Sequence, residues 1–170
     1  MTIPTRITAA RLYVDGSPDP AVCEIDLPEP EFGSEDVGSM AISGEVQTTD
    51  AADLRPMTAT VKGRGLSAAF RKLLRPGASR EVQVRYVYDD LDPSTRQTTK
   101  RKLVADLLVQ GKKGKQPTVK RKQGDMVEVE LAVQYYKLAV DGETVHELDP
   151  LNRVCVIDGE DLLADERAFL

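Results

Sequence analysis

The chain has 170 residues, 41% of them hydrophobic and only 5% aromatic, enough for one domain that buries roughly 70% of its unfolded surface. No apolar run approaches the ~20 residues of a membrane-spanning helix, and Met1-Thr2-Ile3-Pro4 does not open a signal peptide, so the expectation is a protein that stays in the cytoplasm in which it is made. The net charge of −5 conceals three blocks: residues 1–53 carry 2 basic and 11 acidic side chains, residues 54–122 carry 18 and 5, and residues 123–170 carry 3 and 12. Such asymmetry speaks to partners rather than to fold.

In chain order, Ile7–Val14 and Val22–Leu27 read as a strand pair joined by Asp15–Pro20. Pro28-Glu29-Pro30 stops the sheet, because proline cannot donate to a ladder. Residues 28–40 are acidic and Gly/Ser-rich, which predicts an exposed projecting loop. Ala41–Gln47 and Met57–Lys62 read as two short strands, with residues 48–56 between them as a projecting arm. Leu66–Leu74 is the best helix: Leu66, Ala69, Phe70, Leu73 and Leu74 share a face, Pro76-Gly77 ends it, and Ser67 or Gly65 caps it only weakly. Val82, Val84, Tyr86 and Tyr88 alternate with polar residues as a strand. The polar connection Asp89–Thr99 follows, then a strand through Leu103, Ala105, Leu107 and Val109, and a Lys-rich loop at residues 111–124.

The strongest pattern is Met126–Pro150. Val127, Val129, Leu131, Val133 and Tyr135 alternate with Glu128, Glu130, Ala132, Gln134 and Tyr136, the period of a half-buried strand. Asp141-Gly142 suits a two-residue type I′ turn, which would set Leu138 opposite Val145 and Tyr135 opposite Leu148. The apolar set therefore changes parity near Tyr135-Tyr136, as in a strand that contains a bulge and helps to build two layers. Asn152–Ile157 is the last strand and Asp161–Leu170 a short terminal helix or tail. The summed picture is a single mainly β domain over residues 1–170, an antiparallel β-sandwich or half-open barrel with one packed helix.

No catalytic, cofactor or metal site emerges. Cys23 and Cys155 lie far apart in apolar strand contexts, which favours buried thiols over a disulfide or a zinc site. His146, the only histidine, falls near Lys137 across the hairpin and reads as a surface strand residue rather than a base. Asp89, Asp90 and Asp92 lack EF-hand spacing and read as a solvated turn. Arg96–Lys122 holds 10 basic residues against the single Asp106, which raises a nucleic-acid-binding β-domain as one alternative. It has no aromatic residue on which bases would stack.

The order of these segments resembles the major tail tube protein of contractile-tailed bacteriophages. The matching residues are Tyr135-Tyr136-Lys137-Leu138, Asp141-Gly142-Glu143, Glu147-Leu148-Asp149, Leu151-Asn152 and Val154-Cys155-Val156-Ile157-Asp158-Gly159. At the N-terminus, the strand Ile7 to Val14, Asp15-Gly16 and a second strand ending in Leu27-Pro28 match as well. The resemblance implies six copies closing into a ring with a continuous inner β-barrel. Rings would stack head to tail inside a sheath, with DNA as transient cargo in the lumen. The implied partners are further copies of the chain, the tail sheath, a baseplate or tube initiator, a tape-measure protein and a tail terminator. The implied place is the virion. A headless contractile bacteriocin or injection device would use the same subunit, and remains open.

On that reading, lumen-lining residues are expected at alternate positions: Ser43, Glu45 and Gln47; Thr58, Thr60 and Lys62; Glu128, Glu130 and Gln134. Carboxylates there would repel passing phosphates, with Lys62 a departure. Contacts between subunits are expected from Glu31, Glu35, Asp36, Asp50, Asp53 and Arg55, and from Lys112, Lys113, Lys115, Lys120, Arg121 and Lys122. Acidic and basic rims would then set the polarity of stacking.

Overall fold

The computed structural model describes residues 3–37, 46–115 and 126–170. Its elements are β1 (Ile3–Val14), β2 (Ser17–Pro18), β3 (Val22–Asp26), β4 (Phe32–Val37), β5 (Val46–Leu54), β6 (Met57–Arg64), α1 (Ala68–Leu73), β7 (Arg80–Leu91), β8 (Thr98–Lys115), β9 (Met126–Val140), β10 (Glu143–Asp149), β11 (Val154–Ile157), β12 (Glu160–Asp161) and α2 (Ala164–Phe169). The main sheet runs β12-β11-β10-β9-β8-β7-β1-β2, and β6 joins it through β9 and carries β3 on its other side. Every pairing is antiparallel.

The long strand β9 organises the fold. β8 lies along one edge from Glu128 to Val140, whereas the other edge is shared: β6 pairs with Met126–Val133 and β10 with Tyr136–Val140. The division falls at a bulge, because Leu108 opposes Tyr135 while Val109 opposes Val133, leaving Gln134 as the extra residue. Burial follows it. Val127, Val129, Leu131 and Val133 point inward before the bulge and Tyr136 after it. The predicted parity change is therefore a bulge, and it marks where the edge of β9 passes from β6 to β10 within one sheet.

The hairpin after β9 departs from the expected register. Asp141 and Gly142 have φ of 50° and 93°, as the tight turn requires. A second bulge at Val145, however, puts His146 opposite Leu138 and Leu148 opposite Tyr136. The slip is favourable because it sets Leu148 against the most buried aromatic of the strand and leaves Val145 at the surface.

β1 and β3 are not paired as the sequence suggested; β1 pairs with β7 and β3 with β6. Pro18 and Pro20 lack N–H donors, so the return from β1 stops after two residues. Buried Asp19 then anchors the connection: one carboxylate oxygen accepts the Ala21 N–H (2.9 Å) and the other accepts the Ser67 hydroxyl (2.6 Å). Ser67 Oγ in turn accepts the Phe70 N–H (3.2 Å), which makes Ser67 a reinforced helix cap rather than a weak one. Leu66 consequently precedes the helix and is exposed, while Phe70 and Leu73 are fully buried.

Phe70 and Leu73 join the single core formed by the inward residues of β1, β6, β7, β8 and β9, with Leu148, Cys155 and Leu163. Glycines make room for the helix. A Cβ on Gly63 would stand 2.5 Å from the Phe70 ring, and one on Gly111 would stand 2.4 Å from the Leu73 carbonyl oxygen. Where β1 and β3 come near one another without pairing, a cleft of about 800 Å³ opens, lined by Ile7, Leu12, Ile25, Leu27, Val84 and Tyr86 among others. The architecture is the expected half-open mainly β one.

Three further expectations change. Residues 48–56 are not an arm by themselves: β5 pairs with β4 as a separate ribbon, so the segments predicted as two loops form one hairpin. Its base is tied down by the partly buried Phe32, Ala51 and Leu54. Residues 111–115 are strand rather than loop, because β8 stays paired with β9 to Lys115. Asp89 and Asp90 belong to β7 and are nearly buried, not in a solvated turn; Arg6 (3.4 Å) and Arg101 (3.1 Å) compensate them. Ser43, Glu45, Lys120, Arg121, Lys122, most of the predicted strand Ala41–Gln47 and the Cys23 side chain lie outside the described residues.

Candidate functional site: a charge-compensated sheet face

Thr58, Thr60 and Lys62 alternate along β6 with the buried Met57, Ala59 and Val61, so they share the solvent face of the strand. Glu128 and Glu130 do the same on β9, against Val127, Val129 and Leu131. The register then places them side by side: Lys62 opposes Glu128, Thr60 opposes Glu130 and Thr58 opposes Ala132. Five of the predicted lumen residues are therefore one contiguous polar patch. Gln134 sits at the bulge, accepting a hydrogen bond from Ser79 (3.0 Å). Gln47 is elsewhere, on the ribbon, where its amide donates to Ser34 Oγ (3.1 Å).

The patch is not a bare row of carboxylates. Lys62 Nζ lies 2.6 Å from Glu24 and 3.3 Å from Asp26, both on β3, and these bonds raise its pKa. Glu130 is held 2.6 Å from Lys112, which lowers its pKa, and Glu128 is 3.9 Å from Lys115. Lys62 departs from an acidic lumen pattern only when Glu24 and Asp26, which flank it from β3, are left out. Their alternation with Ile25 is visible in the sequence, but Lys62 lies 38 residues beyond Glu24, outside the window of roughly 11–18 residues that periodicity reads. Exposed pairs of this kind are screened by water and add little to stability, so they matter for surface charge.

The predicted contact residues fall into two separate groups. Glu31, Glu35, Asp36, Asp50, Asp53 and Arg55 are on the ribbon or its stem, with Asp53 and Arg55 3.5 Å apart and Arg55 N–H donating to the Glu31 carbonyl (2.8 Å). Lys112, Lys113 and Lys115 are on β8. Lys112 and Lys115 already have partners within the chain, so the basic block is not simply a free rim.

On the opposite half of the sheet, the Tyr135 hydroxyl donates to Glu147 (2.8 Å), which also pairs with Lys137 (3.1 Å). Burial, reinforced by that bond, pushes the Tyr135 pKa up, and burial takes Tyr136 to about 12, so both phenols stay neutral. Among the described residues no group of three or more His, Cys, Asp or Glu is placed to hold a metal ion. Cys155 is a buried free thiol.

His146 is not the surface residue expected. Its Nε2 is buried without a partner and its ring meets Tyr136 edge-on at 4.8 Å, so burial lowers its pKa. The folded state thus holds the ring neutral, whereas the unfolded chain takes up a proton below about pH 6.5. Stability should be fully present above that pH and decline as pH falls below it. Since this is the only histidine, the urea midpoint between pH 7.5 and 5.5 reports it directly. The wild type should lose stability over that window, and His146→Phe should flatten the slope.

No curated protein sequence matches the chain. Solved structures share its fold. The sheath/tube terminator of an extracellular contractile injection system, PVC, in the extended state gives a TM-score of 0.59 at 5% identity, covering 81% of this chain and 97% of that one. A chain of the PVC sheath-tube complex in the extended state gives 0.55 at 5% identity, covering 76% and 87%. A chain of the 6-fold symmetrised baseplate of the anti-feeding prophage (AFP) gives 0.50 at 10% identity, covering 76% and 90%. The model of phage tail tube protein FII matches residues 4–170, nearly the whole sequence, and the chain therefore belongs to that family of structural tail tube subunits.

Proposed function

We propose that six copies close into a ring around the polar face of β3, β6, β9 and β8, and that rings stack head to tail into a hollow conduit. Thr58, Thr60, Lys62, Glu128, Glu130 and Gln134 would line its lumen. The observation that carries this reading is the face itself: a contiguous, uncapped polar sheet surface on which four carboxylates (Glu24, Asp26, Glu128, Glu130) meet three partnered lysines (Lys62, Lys112, Lys115). Such a surface holds neither a polyanion nor an apolar segment tightly, which suits passage rather than binding. Six sheets of this kind make a barrel of roughly 24 strands, roughly 40 Å across at the backbone for strands ~4.8 Å apart, wide enough to stay open.

Head-to-tail stacking is a heterologous contact that does not close on itself, so its length must be set from outside. A tape-measure protein and a terminator supply that limit in this reading. The sheath and baseplate are the outer and lower partners, and the finished tube is part of a virion through which DNA leaves. The ribbon β4–β5 is the arm that reaches the adjoining ring or subunit. The role is structural, with no chemistry assigned to any residue.

The same subunit also fits a headless injection device, a reading favoured by the contractile injection systems among its structural relatives. Capsid and terminase genes beside this one would decide for the phage. Negative-stain electron microscopy of the concentrated purified protein tests the common core of both readings. Hollow tubes or six-fold rings are expected; a protein that stays monomeric at every concentration, with or without a baseplate nucleus, overturns it.

A further inference from the structure

Among the described residues, the four-stranded part of the sheet, β3-β6-β9-β8, has two free edges. Among the described residues β3 is paired only with β6. On the other side, β7 follows β8 only as far as the pair Arg80 and Val109, so Gln110–Lys115 is paired with β9 alone. Unpaired strand edges are templates for another chain unless they are blunted or covered. The two edges are opposite in sign. β3 presents Glu24 and Asp26 on its solvent face, and the open stretch of β8 presents Lys113 and Lys115, which oppose Glu130 and Glu128 and so share that face.

We infer that the seam between neighbouring copies is the acidic edge of β3 on one copy joined to the lysine-bearing edge of β8 on the next. This rests on the ring proposed above. Strand direction agrees with it. The four strands alternate in direction, so β3 and β8 run oppositely within one copy. Rotation about the barrel axis preserves direction, so β8 of one copy and β3 of the next meet antiparallel, and the whole barrel is antiparallel. In an antiparallel ladder the paired residue numbers have a constant sum. Asp26 opposite Lys113 therefore brings Glu24 opposite Lys115 in the same register, with all four side chains on one face. The seam continues the cross-strand acid–base pattern already present between β3 and β6 and between β8 and β9.

The test is a cysteine pair, Asp26→Cys with Lys113→Cys. Within one copy these positions lie across three strand spacings, on the order of 14 Å, too far to bridge. Mild oxidation of assembled tubes should give a ladder on non-reducing gels reaching six joined copies, lost on reduction and missing from each single variant. Tubes seen by microscopy without a ladder would overturn the seam and leave the tube reading standing. Wild-type protein that never forms rings removes both. Should the cysteine variant alone fail to assemble, the charge exchange decides. Asp26→Lys and Lys113→Glu should each abolish tubes and together restore them; failure of the double variant overturns the assignment.

Discussion

Excising residues 34–49 and closing the gap with a short Gly-Ser turn should abolish tubes while leaving the subunit folded. The cut keeps Gly33 opposite Asp50 at the stem, as well as Phe32, Ala51 and Leu54, which rest on the core. Beyond that stem the described ribbon is exposed on nearly every residue. Among the described residues it shares no sheet with the rest of the chain, so losing its described part removes little buried apolar area and the urea midpoint should stay near the wild-type value. A two-stranded ribbon has almost no stability by itself. Its extension away from the core makes sense when a neighbouring copy covers it. Tube length and yield by electron microscopy, beside the midpoint of unfolding, separate the two effects. Wild-type tubes from the excised chain would remove the ribbon from the assembly.

Residues whose neighbours are local in sequence were the legible ones. The alternation of β9, the positive-φ turn at Asp141-Gly142 and the parity change that became the Gln134 bulge are written in consecutive residues. So is the amphipathic stretch that became α1. What was not legible depends on strands meeting from far apart. β1 and β3 look like a hairpin, and only the pairing preferences of β6 and β7 send them to different partners. Asp19 looks like a loop residue until the fold sets it beside Ser67. The Val145 bulge follows from the contest between the tight turn, which favours one register, and Tyr136, which favours Leu148 as its partner. The polar face was predicted in part for the same reason: Thr58, Thr60, Lys62, Glu128 and Glu130 follow from local alternation, whereas the lysines and carboxylates that neutralise them come from adjoining strands. The charge blocks along the chain thus meet one another in part across the sheet.

Gly111→Ala should be among the most damaging single substitutions outside the apolar core, costing roughly 3 kcal/mol or more. Its φ is not in the left-handed region, so the cost is one of space alone. The added carbon would lie 2.4 Å from the Leu73 carbonyl oxygen and 3.0 Å from the Leu74 carbonyl carbon, both backbone atoms at the end of α1. Neither yields by a side-chain rotation. The helix must rise or β8 must bend, and overpacking of this kind costs about 1–3 kcal/mol before any secondary loss. Lifting α1 also withdraws Phe70 and Leu73, at 0% and 1% exposure, from the core, and losing such a residue outright costs roughly 3–5 kcal/mol. Gly114→Ala supplies the control. Its Cβ would meet the Leu74 Cδ2 methyl at 2.1 Å, the far end of a partly buried side chain and not a backbone atom, so a rotamer change can relieve it and the loss should be clearly smaller. Urea unfolding of the three proteins checks the order. The midpoint should fall most for Gly111→Ala and less for Gly114→Ala, with little change in slope if only packing is altered. Equal midpoints for Gly111→Ala and the wild type would mean that α1 does not rest on β8.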